Sequence, residues 1–256
     1  MRVAYDVLLD RRVAVKLFDR AAVDDGLREQ ESEAMVAAVL QHPALTALLD
    51  AGLRIEGEVP CGYLVLDYVE GTDLRERLLD GGAMTALEVC WLGMDLAGAL
   101  EHMHEAGYLH RDVKPANILI AAGPSGRRRR ARLTDFGISS PVGRVEAVDQ
   151  ITGTAAYISP EQAQGEDAST ASDVYALGLV LLECLTGVRA FPGSAAESTF
   201  DRIVRDPDVP DWLPDSMTAV IRAMTSRLPE QRSTPRAVRQ QLGLLAARVT
   251  TAAVSG

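Results

Sequence analysis

The pattern of apolar and polar positions changes period near Gly71. Before it, residues 1–20 alternate, and Val13-Ala14-Val15-Lys16-Leu17 reads as a strand entered through a turn at Leu9–Arg12. A helix is predicted from about Val23 to Leu40, with Met35, Val36, Val39 and Leu40 on one side and Pro43 as its stop. Leu45–Leu53 and Tyr63–Val69 read as two further strands around a glycine-bearing turn at Glu56–Gly62. After Gly71 the helical period takes over. Leu74–Leu79, Ala86–Ala106, Ser172–Leu185, Glu197–Val204, Pro214–Ser226 and Pro235–Arg248 all read as helices, and Thr85 with Glu88 forms a capping-box signature at the second. Short strands are predicted at Asn117–Ala121 and Ala131–Thr134. The class is therefore α+β: one domain over residues 1–247, with a small β-rich lobe (about 1–66), a connection (about 67–73) and a larger helical lobe (about 74–247), then a short tail, 248–256.

Composition narrows the function. The 256 residues are 47% apolar and 24% charged, which suits a soluble globular chain and excludes wholesale disorder. The net charge of −10 argues against nucleic acid or an anionic membrane surface as the main partner. The longest strongly apolar run, Val174–Leu182, stops at Glu183, far short of the about 20 residues of a spanning helix. Asp6 and Asp10 interrupt any signal-peptide core. Cys61, Cys90 and Cys184 are scattered and odd in number, which suits a reducing compartment, so a cytoplasmic location is expected. Cys90 and Cys184 read as small buried hydrophobes, Trp91 and Trp212 as packing residues, and His102 and His104 as ordinary helix residues. The Arg127–Arg130 run reads as a solvated hairpin tip.

Lysine usage is the sharper signal. Of 26 basic residues only two are lysines, Lys16 and Lys114; arginine serves everywhere else. Such exceptions mark places where a compact ammonium on a flexible stem is needed. Lys114 lies in His110-Arg111-Asp112-Val113-Lys114-Pro115-Ala116-Asn117, and Asp135-Phe136-Gly137 follows after a short hairpin. Phosphoryl transfer requires this set: a carboxylate to orient a hydroxyl, a cation, and an amide plus a second carboxylate for Mg²⁺.

With these motifs, Val13-Ala14-Val15-Lys16 and Ser159-Pro160-Glu161 in order, the chain resembles bacterial, eukaryotic-like serine/threonine protein kinases over about residues 3–247. The resemblance implies a bilobal kinase fold, with ATP and Mg²⁺ as cofactors and protein substrates bearing Ser or Thr. It implies Lys16 on the α/β-phosphates, paired with Glu33. It places Ala14 above and Leu119 below the adenine, Leu66 as gatekeeper, Asp67 and Val69 on the adenine edge, and Asp73 near the ribose. Asp112 would be the catalytic base, Asn117 and Asp135 the Mg²⁺ ligands, and Thr154 a partner of both Asp112 and Lys114. Glu161 would pair with Arg232, and Asp173 would hold the backbone of the His110-Arg111 loop. Arg111 implies control by loop phosphorylation, with Thr152 as the candidate site.

The sequence departs from the family at its start: no GxGxxGxV precedes Lys16. The alternative function is therefore a kinase-like scaffold that binds partners without transferring phosphate. Ala4 and Asp6 match the family's second strand by their distance to Lys16, so Met1 falls where the family has the Val that ends the missing loop. The expectation is that Met1 is an internal Val read from a GTG codon. A true truncation is the alternative.

Overall fold

The computed structural model of the chain describes residues 1–18, 34, 37–56, 59–121, 128–135 and 156–254. Its first sheet has the order β1-β2-β4-β3, all antiparallel: β1 (Arg2–Asp6), β2 (Arg11–Leu17), β3 (Leu48–Glu56) and β4 (Val59–Asp67). The β1–β2 turn is built by Asp6, whose Oδ1 accepts from the N–H groups of Leu8 and Leu9 at 3.1 and 3.2 Å. The turn closes on Asp10 at φ 52°, a left-handed conformation that Asp tolerates. β4 buries Leu64 and Leu66, which by register share a face with Lys16 and Ala14, while Val13 is buried on the other face. The predicted wide turn at Glu56–Gly62 is corrected here. Its residues on either side of 57–58 are strand, because cross-strand pairing from Arg54↔Cys61 to Glu56↔Val59 overrides the local glycine signal.

Of the helix predicted from Val23, the described part is helical at Ala34 and at Ala37–Val39; the rest lies outside the described residues. Ala37, Leu40, Ala44 and Leu45 join the core of the larger lobe. The 44–46 segment is stitched there by Leu133 N–H donating to Ala44 O (2.8 Å) and Thr46 N–H to Leu133 O (3.0 Å).

The larger lobe contains α1 (Leu74–Gly81), α2 (Ala86–Glu105), a second sheet of β5 (Gly71–Asp73), β6 (Ile118–Ala121) and β7 (Arg130–Leu133), then α3 (Pro160–Ala163), α4 (Thr170–Thr186), α5 (Ala195–Val204), α6 (Asp215–Met224) and α7 (Pro235–Val254). Both reciprocal bonds of the Thr85–Glu88 capping box start α2. The central element is α4, buried from Ser172 through Leu182 on every side, as expected of a helix without a polar face. Small residues let its neighbours close in: a Cβ at Gly178 would meet Thr225 Cγ2 at 2.7 Å and Met224 Cβ at 2.9 Å. Cys90 and Cys184 are buried in α2 and α4.

Three expectations differ from the structure. First, α7 does not stop at Arg248 but runs to Val254, since no Gly or Pro interrupts 249–254 and Thr250 and Thr251 hydroxyls bond back to Ala246 and Ala247 carbonyls. The 248–256 tail is thus mostly helix. Second, Trp212 is 68% exposed, while Leu213 takes the inward position. Third, the arginine run is not simply solvated: Arg128 folds back to Asp95 and to the carbonyl of Trp91. No helix among the described residues is long and apolar enough to cross a membrane.

Candidate active site

The cleft-facing loop of residues 110–117 is held from behind by one buried carboxylate. Asp173, in the first turn of α4, accepts from His110 N–H (2.9 Å), Arg111 N–H (2.8 Å) and His104 Nε2–H (2.8 Å). Burial alone would raise its pKa, but the bonds from His104 and the backbone outweigh it and hold the carboxyl below the usual range. Arg111 sits at φ 64°, a conformation these bonds impose on a non-glycine residue. The sequence by itself gives His104 no role beyond that of an ordinary helix residue. Its spacing from His102 argues against a metal pair, and only the fold brings it to Asp173, 69 residues away.

His110 is fully buried. It donates from Nε2 to the Thr134 carbonyl (3.3 Å) and accepts on Nδ1 from Asp112 N–H (3.3 Å), which assigns a neutral ring protonated at Nε2. Burial pushes its pKa down, against the opposing fields of Asp173 and Asp112. The folded state therefore binds fewer protons than the unfolded chain once pH falls below the ordinary histidine value of about 6.5. Stability is complete above that value and declines below it, with a slope approaching about 1.4 kcal/mol per pH unit for this group. His42, also lowered by burial, adds the same sign. Urea unfolding midpoints should therefore drop between about pH 7.5 and about pH 5.5; a flat profile would rule out the buried neutral ring.

In front of this frame the polar groups converge. Asn117, in a one-turn 3₁₀ helix (Pro115–Asn117), donates from Nδ2 to Asp112 O (2.9 Å) and Asp112 Oδ2 (2.8 Å), leaving its amide oxygen as the acceptor. Lys114 Nζ is 2.6 Å from Asp112 Oδ2. Thr134 N–H bonds Asn117 O (2.9 Å) and so sets Asp135 beside the loop, at φ 52°. Lys16, from β2 of the small lobe, reaches across to Asp135 Oδ1 at 3.4 Å. Asp112 Oδ1 is buried without a hydrogen-bond partner among the described residues, and Asp135 Oδ1 has no hydrogen bond there beside its 3.4 Å ion pair with Lys16. Buried oxygens so poorly partnered call for a ligand. They fit a hydroxyl donor and a hard cation, so the donor set suits ATP with Mg²⁺. No group of three or more His, Cys, Asp or Glu that could hold a metal lies among the described residues; Asn117 and Asp135 would supply two oxygens, with phosphate and water completing the shell.

The cleft walls are placed by alternation. On β6, Ile118 and Ile120 are buried in the core, so Leu119 turns the other way and is half-buried; Ala14 on β2 is likewise half-buried. Leu66 is buried, and Val69 lies just past the end of β4. Asp67 bonds Arg132 of β7 through its side chain and Ala47 O through its N–H (2.9 Å). Asp73 caps α1, its Oδ1 accepting from Glu76 N–H at 2.8 Å. Below the cleft, Glu161 and Arg232 form a buried bidentate pair, both bonds 2.7 Å, with Ser172 donating to Glu161 (2.7 Å). Glu33, Thr152 and Thr154 lie outside the described residues.

The family model for the protein kinase domain matches residues 3–242. Serine/threonine-protein kinase PknB of Mycobacterium tuberculosis is 37% identical over 246 residues, covering 91% of this chain and 38% of the relative. PknB of Mycobacterium leprae is 35% identical over 242 residues, with the same coverage. Serine/threonine-protein kinase PknA of M. tuberculosis is 36% identical over 236 residues, covering 90% of this chain and 54% of the relative. The chain thus spans about two fifths to a half of the length of these relatives.

Proposed function

This chain belongs to the protein kinase family, and from that premise we propose that it transfers the terminal phosphoryl group of ATP to Ser or Thr hydroxyls of proteins in bacterial signalling. The observation that carries the reading is the unpartnered Asp112 Oδ1 together with the ion pairs that set the Asp112 and Asp135 carboxylates each beside one of the chain's two lysines. Asp112 orients the acceptor hydroxyl and takes its proton on Oδ1, while Lys114 neutralises charge on the moving phosphoryl group. Lys16 holds the α/β-phosphates, and Glu33 is its proposed partner. Ala14 and Leu119 sandwich the adenine, Leu66 closes the back, the backbone of Asp67 and Val69 reads its edge, and Asp73 reaches the ribose through the carboxylate oxygen not used in capping. Asn117 and Asp135 would hold Mg²⁺, which would supply positive charge to offset that of the phosphates. Thr154 closes the site around a short side chain, and Thr152 is the loop residue proposed for regulatory phosphorylation.

Incubation of the purified protein with ATP and Mg²⁺ should yield phosphoserine or phosphothreonine on itself or on a generic protein substrate. Lys16→Met should lower this by about a hundredfold or more, through lost ATP positioning. Phosphotyrosine as the main product, or equal incorporation by the variant, would overturn the assignment.

A further inference from the structure

A second cavity lies away from the cleft, on the other face of the β6–β7 hairpin. It has a volume of about 520 Å³ and is formed where α1, the start of α2, β6 and β7 meet. Its floor is apolar: Trp91, Leu92, Ile120 and Ala131, with Met84 at one side. Leu92, Ile120 and Ala131 are buried, and Ile120 points here because its neighbour Leu119 points into the cleft. The mouth is basic, lined by Arg77, Arg128, Arg129 and Arg130.

The charge is concentrated against the trend of the molecule. Four arginines face two nearby carboxylates, Glu88 and Asp95, in a chain whose net charge is −10. Arg128 is fixed there: it pairs with Asp95, donates to Trp91 O at 2.9 Å, and stands 5.9 Å from the centre of the Trp91 ring. Arg130 shares Asp95 at 3.3 Å and remains 63% exposed on its side chain. Arg129 is exposed and forms no ion pair among the described residues. A cation held in place over an apolar floor, with two exposed cations beside it, is a receptor for an apolar group flanked by anions.

We infer that this cavity is a docking site for an acidic segment of a partner protein, carrying an aliphatic anchor between carboxylates. The floor takes the anchor, and the arginines take the carboxylates. A ligand here leaves the catalytic cleft open, because the two sites use opposite faces of β6. Docking would raise the local concentration of a substrate or hold a regulator without competing with ATP.

The structure supplies its own probe. Trp91 and Trp212 are the only tryptophans, and Trp212 is exposed, so Trp212→Phe leaves Trp91 as the sole indole at the cavity. Titration of that variant with a synthetic peptide of alternating Glu and Leu should change Trp91 emission saturably, and added salt should weaken binding. Replacing Glu by Lys in the peptide should abolish binding, as should replacing Leu by Ala. Arg129→Glu, at an exposed position that leaves folding intact by circular dichroism, should weaken it at least about tenfold. The proposal is overturned by the absence of a saturable change, by equal binding of the Lys peptide, or by sulfate alone reproducing the change without need of the Leu anchor. None of these readouts depends on phosphoryl transfer.

Discussion

Asp112→Asn is expected to lower phosphoryl transfer by about three orders of magnitude while leaving ATP affinity within about twofold. The variant keeps the shape of the side chain. Its amide oxygen can still accept from Asn117 Nδ2 and Lys114 Nζ, the groups now 2.8 and 2.6 Å from Oδ2. What disappears is the second, unpartnered oxygen Oδ1, the atom proposed to take the hydroxyl proton. An NH₂ group there can donate but not accept. Initial rates at saturating ATP, set beside an independent nucleotide titration, separate the two quantities. If the loss of rate tracks a loss of nucleotide affinity, Asp112 is a binding group and the proposed chemistry is wrong.

Arg232→Ala should destabilise the fold by about 3–5 kcal/mol, the largest stability effect we expect from one substitution. Every donor of this guanidinium is used. Nε bonds Ser226 O at 2.7 Å, while Nη1 and Nη2 reach both Glu161 oxygens and also Ala171 O and Arg227 O. The planar group also lies 4.8 Å from the centre of the Tyr175 ring. Truncation leaves Glu161 as a buried carboxylate supported by Ser172 and a backbone N–H, and removes a donor from each of three carbonyls. Burial by itself raises the Glu161 pKa, yet the bonds from Arg232 and Ser172 bring it below the usual range. The pair's contribution is therefore present above the ordinary glutamate pKa and lost as pH falls through the lower, folded-state value. Arg232→Lys should also fail, since an ammonium cannot make five bonds in one plane. The double variant Glu161→Met with Arg232→Leu should cost less than Arg232→Ala. Denaturant midpoints of the three variants test the ordering; a double variant worse than either single change would contradict the buried-charge account.

The two-lobe division is legible because the apolar period changes near Gly71, and helix starts are legible where a cap is local, as at Thr85 and Glu88. Boundaries set by distant partners are not. The β3–β4 pairing extends across glycines that locally suggest a turn, and the small strand β5 exists only because Gly71–Asp73 finds Leu119–Ala121. The same holds at the site. His110 to Asn117 is a local string whose chemistry can be read directly, whereas Glu161 and Arg232 stand 71 residues apart and only the family resemblance joins them. His104 shows the converse. Its own helix gives no hint of a role, and the Asp173 carboxylate supplies one. Arginine at position 128 looks like hairpin decoration until the fold lays it on Trp91 and Asp95.

The placement of the two lysines also bears on chemical labelling. Their ammonium groups, with side chains 24% and 22% exposed, both stand within 3.4 Å of an aspartate of the cleft. On most proteins an amine-acylating reagent scatters over many surface lysines. Here the remaining basic side chains are guanidiniums, which such reagents leave untouched, so every ε-amine in the sequence belongs to the cleft. A single acyl mark on a lysine is then a report on the site itself, and nucleotide protection against it can be read once that mark is separated from acylation of the N-terminal α-amine.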